Sequence, residues 1–345
     1  MGCVRRSPLW SVPLIAAGLC STTLLISHAQ QPVGTIPLTP PPPPIAVDGV
    51  EVLPVQGNVH MIVGAGANVA VQVGDEGVLL VDSGGAGQSQ RLLSAISRLT
   101  SKPVRFLINT NADGDHIAGN EAVVKSQGGI RGPRPGAGGG GNAPGQNVGI
   151  LSVAHENAFN RMSTGSRGTP ALTGDALPAS TFFTPHKDLF SNGEPVLLIA
   201  QPNAHTDGDV MVFFRKSDVV ATGDLFVTTS YPVIDSSRGG SIQGVIDALN
   251  AIIELTVPER NQMGGTRVIP GHGRICNEAD VVDYRDMVTI IRDRVQEMAK
   301  KGMTLQQVKA ARPSLEYDGI YGATTGPWTT DMFLETIYRE VSGRK

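Results

Sequence analysis

Leu107-Ile-Asn-Thr-Asn-Ala-Asp-Gly-Asp-His-Ile-Ala-Gly-Asn120 begins as an apolar run and breaks into acids, amides and one imidazole. The first part reads as a strand end and the rest as the loop that leaves it. Donor side chains held on a sharply turning backbone at a strand end are how loops present metal ligands. Three later fragments have the same build: Ala204-His-Thr-Asp-Gly-Asp209, Ala221-Thr-Gly-Asp-Leu-Phe226 and Pro270-Gly-His-Gly273. Each sets His or Asp beside Gly after an apolar, β-branched run. Together the four loops point to a metal centre built at the ends of strands.

Around these loops the hydrophobic period alternates between strand and helix. Runs at 50–55, 58–63, 68–73 and 77–81, punctuated by Gly and Asp or Asn, predict an antiparallel meander. A helix is expected over 88–99, and a strand over 104–108 delivers the first motif loop. A helix is expected over 151–162. Ser191-Asn192-Gly193 marks a hairpin, and strands are expected at 195–200, 209–214 and 219–222. The helix expected over 241–255 has amphipathic spacing, and a strand over 266–269 runs into the last motif. Helices then dominate 278–345, including a segment opened by the capping box Thr304-Leu-Gln-Gln307. No break inside 50–345 separates two cores, so the order implies one domain of packed sheets with helices outside. Residues 127–149 include Gly138-Gly-Gly-Gly141 and are too rich in Gly and Pro for a packed element. They read as a surface insertion.

Arg5 and Arg6 precede an apolar stretch over 8–26, and Ser27-His-Ala29 puts small residues at a cleavage position. Residues 1–29 therefore read as a signal peptide. The expected location is periplasmic or secreted, with no stable membrane anchor after cleavage. Residues 30–49, with Pro40-Pro-Pro-Pro-Pro44, read as a linker. The whole chain of 345 residues carries a formal charge of −3, and the leader holds two Arg and no acid, so the remainder is more acidic still. With no Lys/Arg cluster, nucleic acid is excluded as a partner. Cys3 and Cys20 lie in the leader, which leaves Cys276 without an intrachain disulfide partner and reads it as a buried thiol. His60, His155 and His186 stand outside the motifs and read as structural or surface residues.

Over residues 50–275, the order and spacing of the four loops resemble the metallo-β-lactamase superfamily. The resemblance implies an α/β fold, a four-layer αββα sandwich of two mixed β-sheets with helices outside. In that family an H-x-H-x-D-H loop, a lone His, a bridging Asp and a final His hold two metals between the sheets. Carried onto this chain, Asn111 and Asp113 fall where the family has its first two His. Asp115 and His116 match the D-H half, His205 the lone His, Asp224 the bridging Asp and His272 the last His. One implied site is Asp115, His116, His272 and an oxygen of Asp224, a mixed N/O set suited to Zn²⁺ or another divalent ion. The other is Asn111, Asp113, His205 and the second Asp224 oxygen, an oxygen-rich set that tilts towards Mn²⁺, Fe²⁺ or no ion at all. The cofactor expectation is one or two divalent ions, Zn²⁺ first, with Mn²⁺ or Fe²⁺ as alternatives. Asn111 suits a strand-end turn equally well. Asp82 matches a family Asp that orients a ligand loop, and Tyr231, just after the Asp224 loop, is a candidate to line the substrate cleft.

The resemblance further implies an exported, metal-dependent hydrolase of a small-molecule substrate. The metal lowers the pKa of a bound water. The resulting hydroxide attacks an ester, lactone, thioester or amide-like carbonyl, and Asp115 takes up the proton. A bridging Asp224 sets the chain nearer the hydroxyacylglutathione-hydrolase and lactonase branches than the β-lactamases, which stand as an alternative. Asn111 favours a further reading, a protein of this fold with weakened catalysis that binds a ligand or metal.

Overall fold

Every residue from Gly77 to Val81 is buried, and successive side chains face different cores: Val78 and Leu80 join one apolar cluster, Leu79 and Val81 another. A strand with a two-residue period and no polar face must lie between two layers. That run is β5 of a computed structural model that describes residues 43–129, 149–165, 170–262 and 264–343. The expected signal peptide, the linker up to residue 42 and the insertion from 130 to 148 lie outside the described residues.

The first half of the chain runs β1 (Ile45–Val47), β2 (Val50–Gln56), β3 (Val59–Val63), β4 (Val69–Gly74), β5 (Gly77–Val81), α1 (Ser89–Leu99), β6 (Val104–Ile108), α2 (Gly114–Ile117), α3 (Asn120–Ser126), β7 (Leu151–His155), α4 (Glu156–Thr164) and β8 (Ser180–Phe182). These strands form one sheet in sequence order, antiparallel up to β5 and parallel from β5 to β8. The second half runs β9 (His186–Ser191), β10 (Glu194–Gln201), β11 (Asp209–Phe214), β12 (Val219–Ala221), α5 (Ile242–Leu255), β13 (Arg267–Ile269), α6 (Glu278–Lys300), α7 (Leu305–Ala311), α8 (Asp318–Tyr321) and α9 (Thr330–Ser342). Its sheet has the order β13-β12-β11-β10-β9, with only β12 and β13 parallel.

Between the sheets, Met61, Leu79, Ile108 and Val153 of the first meet Val196, Leu198, Val210 and Phe214 of the second. Outside the first sheet, Ile62, Val71 and Leu80 pack on Leu92 and Ile96 of α1 and on Val123 and Val124 of α3. Outside the second, Met211, Val220 and Val268 pack on α5, α6 and α9 through Leu249, Ile252, Ile291 and Ile337. This is the expected four-layer sandwich.

Two local expectations need correction. The segment 151–162 is not one helix: its first half is β7, buried between β6 and β8, and the helix starts at Glu156. A short strand buried on both faces has no polar alternation to distinguish it from a helix. The sheet also begins before residue 50, inside the segment assigned to the linker. Ile45–Val47 pairs with β2 through Asp48 and Gly49, both at positive φ, which is the Asp-Gly hairpin turn.

Leu79 is fully buried between the sheets. Leu79→Ala is expected to destabilise the fold by about 2–5 kcal/mol, read as a lowered urea midpoint at unchanged slope. A loss below that range would mean the inter-sheet core relaxes around the cavity.

Candidate metal centre

Loops from the carboxyl ends of β5, β6, β12 and β13 and the β10–β11 connection converge at one end of the sandwich. Asp82 follows β5 in a left-handed backbone conformation, φ 68°, which Asp tolerates better than most residues. Its Oδ1 accepts the Thr110 N–H at 2.8 Å, and its Oδ2 accepts the Thr110 hydroxyl at 2.7 Å and faces His116 Nδ1 at 2.7 Å. The Asp82 contact assigns a proton to His116 Nδ1 and turns Nε2 towards the cluster, where a metal ion would take the place of its proton.

His116 lies on α2, fully buried. Its Nε2 is 3.1 Å from Asp224 Oδ2, close but misaligned, so it has no hydrogen-bond partner; neither has Asp224 Oδ1, which is also buried. Two neighbouring buried donor atoms left unsatisfied are costly unless a cation completes them. His272 adds Nε2 at 3.6 Å from Asp224 Oδ1 and 3.1 Å from Asp115 Oδ2. Asn68 fixes the His272 loop by donating to the Pro270 and Gly273 carbonyls at 2.9 and 3.0 Å. Gly271 is required there, because a Cβ would lie 2.4 Å from Asp224 Oδ1. Asp115, His116 and His272 offer atoms within 4.8 Å of one another and could hold a metal ion; the residues fit a divalent cation.

Asp113, His205 and Asp224 form a second such group. His205 donates from Nδ1 to the Val233 carbonyl at 2.9 Å and sets Nε2 3.1 Å from Asp113 Oδ2. The other Asp113 oxygen accepts from Arg238 Nη1, whose Nε donates to Asp235 at 2.7 Å. Asn111 reaches the cluster in a different role from the expected ligand. Its Oδ1 accepts the Asp113 N–H at 2.8 Å, and its Nδ2 donates to Asp224 Oδ2 at 3.3 Å. Reversing the amide would set two donors against each other, so Asn111 acts as a turn residue and a hydrogen-bond donor.

Charge balance at the centre rests on protons. Burial opposes a charge on His205, yet its bond to Asp113 and the nearby Asp209 and Asp224 push its pKa up to about 10. Burial also opposes charge on His116, but Asp224 and Asp82 hold its pKa well above the usual value. The Asp115 bond raises His272 in the same way. Burial works against the charged forms of Asp113 and Asp224 too, and the surrounding imidazoles, joined by Arg238 at Asp113, hold both carboxyls well below the usual range.

Tyr231 does not line a cleft. It is buried, stacked on Phe333 at 4.7 Å, with its hydroxyl donating to Asp318 at 2.9 Å, so it ties the Asp224 side of the site to the C-terminal helices. Cys276 is a buried free thiol, as expected. His155 caps α4 and His186 is exposed. Sequence reasoning passes over Arg238, which no motif marks. It also passes over Asp209, although the quoted fragment contains it; Asp209 accepts the Thr206 N–H and hydroxyl at 2.6 and 2.9 Å and shapes the His205 loop. Beside His272 lies a shallow, open recess bordered by Leu53, Val63 and Ile275, with Met61 beneath.

A family model described as the metallo-beta-lactamase superfamily matches residues 62–272. No curated protein matches the chain. Among solved structures, the chain is similar to the stereoselective inverting sec-alkylsulfatase Pisa1 from Pseudomonas sp., at 15% identity and a TM-score of 0.58, over 85% of this chain and 50% of that one. It thus spans about half the length of that protein. It is also similar to a metallo-beta-lactamase from Pontibacter korlensis, at 18% identity and a TM-score of 0.51, over 70% of this chain and 99% of that one. The DIM-1 metallo-beta-lactamase aligns at 14% identity with a TM-score of 0.51, over 71% of this chain and 99% of its own. At such identities the likeness is one of fold.

Two outcomes follow from this geometry. Asp82→Ala removes the acceptor that orients His116 and is expected to weaken Zn²⁺ affinity about 10–100-fold in a chelator competition; unchanged affinity would refute the orienting role. In metal-stripped protein, the raised His205 pKa contributes stability that is complete below its ordinary value of 6.5 and lost as pH rises to about 10. Urea midpoints measured across that window should fall, and His205→Gln should flatten the decline.

Proposed function

We propose that this chain, which belongs to the metallo-beta-lactamase superfamily, is a metal-dependent hydrolase of small molecules with an ester, lactone, thioester or amide-like carbonyl. The observation that carries this reading is the pair of buried, unpartnered atoms His116 Nε2 and Asp224 Oδ1, set beside Asp115 and His272. These residues would hold the ion, and we assign Zn²⁺ from the mixed imidazole and carboxylate donors. When bound, such an ion supplies Lewis acidity and a water acidified towards neutral pH.

The chain's own residues do the rest. Asp82 fixes the His116 ring so that Nε2 keeps its direction. Asp115 has 44% of its side chain exposed, at the solvent side of the cluster. Its pKa is lowered: burial works against the carboxylate, but the His272 hydrogen bond and the His116 charge outweigh it. It is therefore a carboxylate at neutral pH, able to accept the proton of the attacking water and return it to the leaving group. The open recess beside His272 offers the half-buried Leu53, Val63 and Ile275 to an apolar arm of the substrate.

We also propose export, with cleavage after Ala29, on the strength of Arg5, Arg6, the apolar stretch and the small residues at 27–29. Among the described residues no helix is long and apolar enough to cross a membrane. A second reading, a ligand-binding protein with weakened catalysis, is favoured by one observation: the Asn111 amide oxygen is committed to the backbone.

The test is a hydrolysis panel of aryl esters, lactones, thioesters, a chromogenic cephalosporin and a secondary alkyl sulfate, run with Zn²⁺ or Mn²⁺. Turnover of a carbonyl ester or lactone is expected, abolished by chelation and reduced about 10²–10⁴-fold in kcat/KM by Asp115→Asn. Turnover of the cephalosporin alone would transfer the chain to the β-lactamases. Metal binding without turnover of any member would leave the ligand-binding reading in its place.

A further inference from the structure

The two halves of the metal centre are not equivalent. Around Asp115, His116 and His272, two buried atoms, His116 Nε2 and Asp224 Oδ1, lack a hydrogen-bond partner, while the more exposed His272 Nε2 and Asp115 Oδ2 face each other at 3.1 Å with no further cation from the described residues on the carboxylate. Around Asp113 and His205, the donors are already spoken for. Asp113 gives one oxygen to Arg238 Nη1 and the other to His205 Nε2, and the Asn111 oxygen is held by the Asp113 N–H. What remains is Asp224 Oδ2, which also faces His116 at 3.1 Å and accepts from Asn111 at 3.3 Å.

Arg238 is built into its place. Its Nε donates to Asp235 Oδ2 at 2.7 Å, while Asp235 Oδ1 accepts the Arg238 N–H at 3.2 Å. Its carbonyl accepts from the Asp207 N–H and from Arg161 Nη2, both at 2.9 Å. The loop then closes on His205: the Asp235 N–H donates to the His205 carbonyl at 3.0 Å, and a Cβ on Gly240 would lie 2.3 Å from that same oxygen. The result is a permanently charged, planar guanidinium with 15% of its side chain exposed, in direct contact with the carboxylate a metal ion would need. A divalent ion entering there would share Asp113 with Arg238 and displace the His205 proton from its other oxygen, against like-charge repulsion in a poorly solvated site.

We propose that Arg238 is the resident cation of the Asp113–His205 half, so that the chain takes one divalent ion, held by Asp115, His116, His272 and Asp224. This rests on the metal-dependent reading above. In it, Arg238 is a positioning residue: it neutralises Asp113, keeps His205 in register and confines the ion to the half nearest the apolar recess.

The experiment counts ions by native mass spectrometry of the full chain after saturation with Zn²⁺ and desalting, beside Arg238→Gln and His205→Ala. One ion per chain in the wild type, near two in Arg238→Gln and one in His205→Ala is the expected pattern. Two ions in the wild type would overturn this proposal and leave the hydrolase reading intact. A count of one in folded Arg238→Gln would also overturn it, by showing that the half is lost without help from the guanidinium. If Arg238→Gln fails to fold, His205→Ala decides: a retained ion supports the proposal and a lost one overturns it. No ion in the wild type would overturn both readings together.

Discussion

Asp224 is the group on which the rest of this site depends. It is a nearly buried carboxylate with His116 at 3.1 Å, His272 at 3.6 Å and His205 at 3.8 Å. A charge in that position is unaffordable alone, and each imidazole around it would be equally costly without the carboxylate. The arrangement therefore exists only as a set. Each histidine arrives on a separate loop, so the loops are held together by the same electrostatics that define the site.

The scaffold cooperates with that demand by joining its two sheets at the loop end. The Val210 N–H of the second sheet donates to the Thr110 carbonyl of the first motif loop at 2.8 Å, and the Asn68 N–H donates to the Gly271 carbonyl at 2.8 Å. Ser83, Asn109 and Asn120 form a buried network that fixes the far side of the His116 loop, with Ser83 Oγ donating to Asn120 at 2.8 Å and to the His116 carbonyl at 3.1 Å. These bonds tie distant parts of the chain together, so they place the donor atoms before any ligand arrives.

Most of this fold is legible in the chain because its strands are either alternating or followed by a motif loop. The meander from β2 to β5 and the hairpin at Asn192-Gly193 follow from period and turn chemistry alone. β7 does not, since Leu151-Ser-Val-Ala-His155 is buried in the parallel part of the sheet and shows no polar face. In the site, the residues that sit in repeated Gly-flanked loops are recognisable, and Asp113, Asp115, His116, His205, Asp224 and His272 do come together. Asn111 is recognisable as a member of the loop but not by role, because an amide can turn either end inwards and only its neighbours decide which. Arg238 is invisible for a different reason. It lies 125 positions from Asp113, and a guanidinium's partner is set by how a loop folds over, not by any local pattern. Tyr231 errs the other way: proximity in sequence to Asp224 suggests the cleft, while its ring has a better apolar partner in Phe333.

Cys276 carries a consequence of another kind. It is the sole cysteine among the described residues, buried in the core behind the second sheet, and burial pushes its thiol up to about 12. A thiol so rarely ionised is a poor nucleophile and a slow target for oxidants. Once folded, the described domain holds no disulfide and shields its thiol from other thiols. Among the described residues the folded domain therefore carries no bond that a change of redox poise would make or break.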